Sequence, residues 1–120
     1  MIKLTLPFPD AKLNPNNSKG THWASTAKTR QAARIEAFAL TLKAAGRGHR
    51  LTGDIPLSIV FVQPDKRHRD RDNLLAALKP SLDGVADALK INDANFEPVT
   101  ISRAYGAKPG EVRITIGMPE

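Results

Sequence analysis

The chain has 120 residues, 18 Lys and Arg against 12 Asp and Glu, a net charge of +6 and no cysteine. That is one domain, spanning 1–120, with a modest core; disulfides and thiolate metal sites are excluded, and no apolar run is long enough to span a bilayer. Residues 1–50 carry nine basic side chains and two acidic ones, residues 51–120 nine and ten, so the first part reads as a surface for a polyanion, most simply nucleic acid.

Ile2, Leu4 and Leu6 alternate with Lys3 and Thr5 and predict a first strand, ended by Pro7-Phe8-Pro9. Met1 leads straight into it without a signal core, which predicts a soluble, cytoplasmic protein. A polar loop follows through Asn14 to Gly20, too rich in turn formers for regular structure. Ser25 or Thr26 can cap a helix running to about Ala45 and closed by Gly46 and Gly48, with Ala33, Phe38, Leu40 and Leu42 inward. Solvated helix lysines account for Lys28 and Lys43 without a ligand. Trp23, where the loop meets this helix, can stack on a base or anchor the loop.

A second strand is expected over Ile55–Val62, ended by Pro64. A second helix is expected from about Asp70 to Leu89, with Leu74, Leu78, Leu82, Val85 and Leu89 as its buried stripe. Pro80 removes a backbone donor and should kink it, and Gly84 weakens it further. Strands near Val99–Ala104 and Val112–Ile116 flank the turn Ala107-Lys108-Pro109-Gly110 and are expected to form an antiparallel hairpin. The order β-α-β-α-β-β predicts a small α/β (α+β) sandwich, with a mixed sheet and both helices on one face.

Asp70 and Asp72 lie within Lys66-Arg67-His68-Arg69-Asp70-Arg71-Asp72-Asn73, and Asp93 follows one helix later. Converging carboxylates can hold Mg²⁺, a hard cation that takes oxygen ligands and leaves positions for water and phosphate oxygens. The flanking Lys66, Arg67, Arg69 and Arg71 would hold a polyanion above it. The plainer reading is that Asp70 and Asp72 cap a helix, whose first turn presents unpaired N–H groups and the positive dipole end. Asn92-Asp93 alone reads as a turn. An EF-hand is excluded, because Leu74 and Leu75 stand where its loop needs an oxygen ligand and a glycine. Asn73 reads first as a cap, and His68 as a backbone contact.

A straight helix from Asp70 to Leu89 is about 30 Å long, so Asp93 joins the other two only if the chain folds back along it. Asp72, Ala76, Lys79 and Asp83 share one helix face. Lys79 can lean back past small Ala76 toward the carboxylates and stabilise charge developing on a phosphoryl group. Its plainer role is a surface pair with Asp83. Asp83 and Asp87 are expected to face solvent.

The run Arg67-His68-Arg69-Asp70-Arg71-Asp72-Asn73-Leu74, then Leu82-Asp83-Gly84-Val85-Ala86-Asp87-Ala88-Leu89 and Asn92-Asp93-Ala94, resembles the RusA family of Holliday junction resolvases. Leu6-Pro7-Phe8-Pro9 and the loop with Lys19, Gly20, Thr21 and His22 are similar too, so the resemblance covers nearly the whole chain. It implies a homodimeric endonuclease, often prophage-encoded, that uses Mg²⁺ (or Mn²⁺) to nick four-way DNA junctions symmetrically. Asp70, Asp72 and Asp93 then map onto the catalytic, metal-binding carboxylates. Lys12, Lys19, His22, Lys66, Arg67, Arg69, Arg71 and Asn73 become the expected DNA contacts. One position departs: the family's lysine four residues after the second Asp is Ala76 here, with Lys79 as the expected replacement. The alternatives are a non-catalytic nucleic-acid-binding protein on the same scaffold and a metal nuclease for other branched DNA.

Overall fold

Alternation of apolar and polar residues forms β1 (Ile2–Pro7), which buries Ile2, Leu4 and Leu6 and turns Lys3 and Thr5 outward. The computed structural model describes residues 1–15, 23–46 and 51–117. Lys19, His22, Gly48 and the side chains of Trp23 and Ser25 lie outside the described residues. A 3₁₀ turn at Ala11–Leu13 follows β1, started by Asp10, whose carboxylate accepts from the Lys12 amide at 2.9 Å. Then come α1 (Trp23–Ala45), β2 (Ile55–Gln63), α2 (Arg71–Leu89), a 3₁₀ turn at Asp93–Asn95, β3 (Phe96–Tyr105) and β4 (Glu111–Ile116).

The sheet is mixed, in the order β1-β4-β2-β3. β4 lies antiparallel between β1 and β2, whereas β3 runs parallel to β2 at the edge. The expected hairpin of the last two strands is therefore absent. A short turn between two apolar runs is compatible with pairing or with a step over an intervening strand. Residues 106–110 take the step, crossing the end of β2, where the Gly106 amide donates to the Gln63 carbonyl at 3.0 Å. Parallel pairing of β2 with β3 follows from the helix between them, because parallel neighbours need a long crossover.

Ile59, Phe61, Val112, Ile114 and Ile116 meet Leu74, Leu78, Leu82 and Val85 of α2 in one contiguous core, with α1 packed against α2. This is the expected α+β architecture, with both helices over the face that the strands turn inward. α1 departs from expectation in two ways. It begins at Trp23, so Ser25 and Thr26 lie inside it rather than capping it. Its buried positions are Thr26, Ala37, Thr41 and Ala45, while Ile35, Phe38 and Leu42 are exposed. Small residues line the seam because the helices approach too closely for large ones. A Cβ on Gly84 of α2 would stand 2.2 Å from the Arg34 carbonyl oxygen of α1. Gly84 thus permits the crossing, a role that its helix propensity hides. α2 runs as one 19-residue helix through Pro80. Gly46 ends α1 at φ +72°, and its amide donates to the Leu42 carbonyl at 2.9 Å. Among the described residues no helix is long and apolar enough to cross a membrane.

Candidate carboxylate site and basic surfaces

Asp70 is the N-cap of α2: its backbone is extended (φ −67°, ψ 127°) and its carboxylate accepts from the Asp72 amide at 2.8 Å. That arrangement satisfies one of the orphan donors of the first turn. Asp72 and Asn73 therefore sit inside the first turn, and Asn73 is not the cap. Asp72 is exposed, so its charge rests beside the positive helix end. These positions lie just beyond the C-terminal end of β2, where open α/β sheets commonly place ligands.

Asp93 starts the 3₁₀ turn beyond the far end of α2. Lys90 closes α2 in the left-handed conformation (φ 58°), and Asn92 caps the turn by accepting from the Ala94 amide at 2.9 Å. The Asn95 side chain ties the turn to the start of β2 through the Gly53 carbonyl at 3.1 Å. The chain folds back along α2, and the Asp93 carboxylate contacts the Lys79 ammonium. Lys79 also donates to Asp83 at 3.0 Å. The ammonium holds the Asp93 carboxyl below its usual range, and the contact with Asp93, more than that with Asp83, raises Lys79 against the opposing effect of burial.

The fold-back gathers only part of the expected site. Lys79 leans toward the C-terminal half of α2, to Asp83 and Asp93, rather than back past Ala76 to Asp72. Asp72 lies seven residues from Lys79, about 10 Å along the axis. Among the described residues no three His, Asp or Glu side chains are grouped to hold a metal ion. The donor chemistry of Asp70, Asp72 and Asp93 suits a hard cation such as Mg²⁺. The expected surface pair of Lys79 with Asp83 is present, and Asp87, expected to face solvent, is exposed and also ion-paired: two nitrogens of Arg34 meet one of its oxygens at 2.6 and 2.7 Å.

The basic run before α2 is built on a buried amide. Gln63 is 1% exposed, and its Nε2 donates to the carbonyls of Asp65 (3.3 Å) and Arg67 (3.1 Å). Asp65 accepts from the Arg67 amide at 3.0 Å and from the Arg69 guanidinium at 2.8 Å. The Arg69 contact is the larger cause that lowers the Asp65 carboxyl below its ordinary value, and the Arg67 amide adds to it. Arg69 also stacks over the Phe8 ring at 5.6 Å, and its carbonyl accepts from Arg103 at 2.8 Å. It therefore holds the loop together, whereas Lys66, Arg67, His68 and Arg71 stand exposed.

A second basic surface lies between the Ala11–Leu13 turn, α1 and α2. This cleft of about 650 Å³ is lined by Lys12, Arg30, Arg34, Ala76, Lys79 and Asp83, among others. Arg30 donates to the Thr26 hydroxyl at 2.9 Å. Sequence reading named Lys12 as a DNA contact and Lys79 as a catalytic residue without joining them, and missed Arg30 and Arg34. Their spacing of four on a predicted helix was the available signal.

Fold and site together define a small α+β domain whose second helix carries carboxylates at its start and a lysine–carboxylate contact at its middle. The chain belongs to the same family as an uncharacterized protein of Xylella fastidiosa (strain Temecula1 / ATCC 700964). The two are 37% identical over 118 residues, which cover 97% of this chain and 76% of that protein. No family model matches the chain.

Proposed function

We propose that this protein is a structure-specific endodeoxyribonuclease that cuts four-way DNA junctions by phosphodiester hydrolysis, as its resemblance to the RusA resolvases implies. The observation that carries the reading is the return of Asp93 to Lys79 on the helix that Asp70 caps and Asp72 begins. Asp70, Asp72 and Lys79 lie on or at the start of α2 and Asp93 returns to it, with exposed Lys66, Arg67 and Arg71 beside its start. Mg²⁺, with Mn²⁺ as substitute, is the cofactor this reading calls for; Asp70, Asp72 and Asp93 would hold it once brought together around the ion. When bound, such an ion neutralises phosphate charge and activates water.

The chain's own residues have simpler roles. The exposed cations hold the phosphate backbone by charge, in a salt-dependent manner. Lys79 supplies a cation for charge that develops on a phosphoryl oxygen. A homodimer suits the reaction, because a two-fold enzyme can address two opposing strands of a two-fold junction.

A second reading, non-catalytic nucleic-acid binding, is favoured by Ala76 at the family's lysine position and by the engagement of Asp93 with Lys79. Titrating Mg²⁺ against a mobile four-way junction, beside linear duplex of the same sequence, separates the two. Paired nicks confined to the junction are expected. Metal-independent binding with no nick at any Mg²⁺ or Mn²⁺ concentration would overturn the nuclease reading in favour of the binder. Cutting of flaps in preference to junctions would move the substrate to other branched DNA.

A further inference from the structure

The cleft between α1 and α2 is separate from the basic run that precedes α2. Its walls bring together Lys12 from the 3₁₀ turn, Arg30 and Arg34 from α1, and Lys79 from α2, against one lining carboxylate, Asp83. Arg30 and Arg34 lie on one face of α1, about 6 Å apart along its axis. That is the order of separation of successive phosphates in a nucleic-acid strand. Asp87 grips Arg34 from one side, and Asp83 and Asp93 grip Lys79. These contacts hold two long side chains in place before any ligand arrives, which lowers the ordering cost of binding.

The rest of the lining is mostly apolar, with Leu13, Pro15, Ala27, Ala76 and Pro80 beside the polar Thr26 and Gln31. An apolar floor flanked by cations suits a strand, whose sugars and bases need non-polar contact while its phosphates need charge. The volume of about 650 Å³ lies within the range of small-ligand sites and accepts a short stretch of strand at a time. Thr26, at the end of the first turn of α1, borders the cleft, and that turn carries no acidic residue to repel an anion.

We propose that this cleft is a second nucleic-acid site that seats a single strand by its phosphates, with Lys12, Arg30 and Arg34 as the contacting cations and Lys79 at its inner end. The proposal rests on the nucleic-acid partner of the reading above. It adds a strand path along α1 leading to the Lys79–Asp93 contact. In a branched substrate, the strand seated here would be one that has left its duplex.

The test uses the full chain, a fluorescein-labelled ten-residue oligothymidylate and EDTA, with anisotropy followed over a salt series. Lys12→Ala with Arg30→Ala should weaken binding at least tenfold at low salt. It should also lower the slope of log affinity against log salt by about 1.4, on the basis of roughly 0.7 per single-strand phosphate contact. Ala76→Phe, which fills the cleft without changing charge, should weaken binding to the same strand. Unchanged affinity and slope in both variants, with circular dichroism showing native folds, would overturn the proposal. Thymidine monophosphate or inorganic phosphate should compete far less well than the oligomer; equal competition would make this a small-anion site and overturn the strand assignment. Junction cleavage in Mg²⁺, measured on the same variants, keeps the two ideas apart. Strand binding that depends on the cleft in a protein that never cuts supports the cleft and refutes the nuclease. Cleavage with no contribution of the cleft to strand binding does the reverse.

Discussion

Lys79 and Asp93 are fourteen residues apart and in contact, and Asp83 holds the same ammonium from 3.0 Å. The αL residue Lys90 turns the chain out of α2, and the contact closes it back onto the middle of the helix. The same pairing brings a proposed catalytic carboxylate to a proposed catalytic cation and leaves Asp72 outside the group.

The pair should show itself by titration. Asp93 is lowered by the ammonium and Lys79 is raised by the carboxylate. The contribution of Asp93 to stability is present above its unfolded pKa, about 3.9, and is lost as pH falls through its lower folded value. That of Lys79 is present below about 10.4 and is lost as pH rises through its higher folded value. Both side chains are substantially exposed, so the stability effect is small and carboxyl NMR is the better measure. Asp93 should titrate below an ordinary aspartate, and Lys79→Met should return it to the ordinary range. An unshifted Asp93 in the wild type means the contact does not persist in solution.

Substitutions at Asp70 and Asp72 separate capping from catalysis. Asp70→Ala should cost about 1 kcal/mol by removing the N-cap, whereas Asp70→Asn keeps a capping oxygen and should leave the melting temperature nearly unchanged. Asp72→Asn should be neutral for stability, should abolish junction cleavage and should leave junction binding equal or tighter, since a negative charge beside phosphate is gone. Wild-type cleavage by Asp72→Asn would make Asp72 a helix-dipole residue only.

Gly84→Ala tests the helix crossing. Alanine favours a helix over glycine by about 1 kcal/mol, but its methyl group would meet the Arg34 backbone at 2.2 Å. Backbone cannot rotate aside, so α1 and α2 must separate, with a net loss on the order of 2 kcal/mol. A lower urea midpoint at constant slope is the expected result. A stabilised variant would show that the helices cross less closely.

The basic run divides into binding and scaffolding residues. Lys66→Ala with Arg71→Ala should lower the salt slope of junction binding by about 1.8, roughly 0.9 for each duplex phosphate contact, with little change in stability. Arg69→Ala should instead loosen the loop, because Arg69 holds Asp65 at 2.8 Å and covers Phe8. Faster amide exchange across residues 65–69 is the measurement. Gln63→Leu should produce the same loosening and cost about 1–3 kcal/mol, since it deprives two loop carbonyls of their buried donor.

What the sequence alone determined is local. Alternation in Ile2–Leu6 and Ile55–Val62, the stripe from Leu74 to Leu89 and the Asp70 start signal are each written within a few residues. The periods of two and 3.6 and the chemistry of the first turn act at that range. The mixed sheet and paired helices followed from element order. Tertiary structure decided everything that depends on a neighbour distant in the chain. β4 pairs with β1 and β2 because the core offers an apolar slot there, and the turn before it is equally compatible with a hairpin. α1 buries small residues such as Ala37 and Thr41 rather than Phe38 and Leu42 because Gly84 lets α2 come close, an instruction carried by another helix. Lys79 leans to Asp93 rather than Asp72 because the chain returns along α2, and Arg30 and Arg34 become walls of a cleft only once α2 lies opposite them. Side-chain chemistry is legible one residue at a time. The group that meets each side chain is set by how the elements pack.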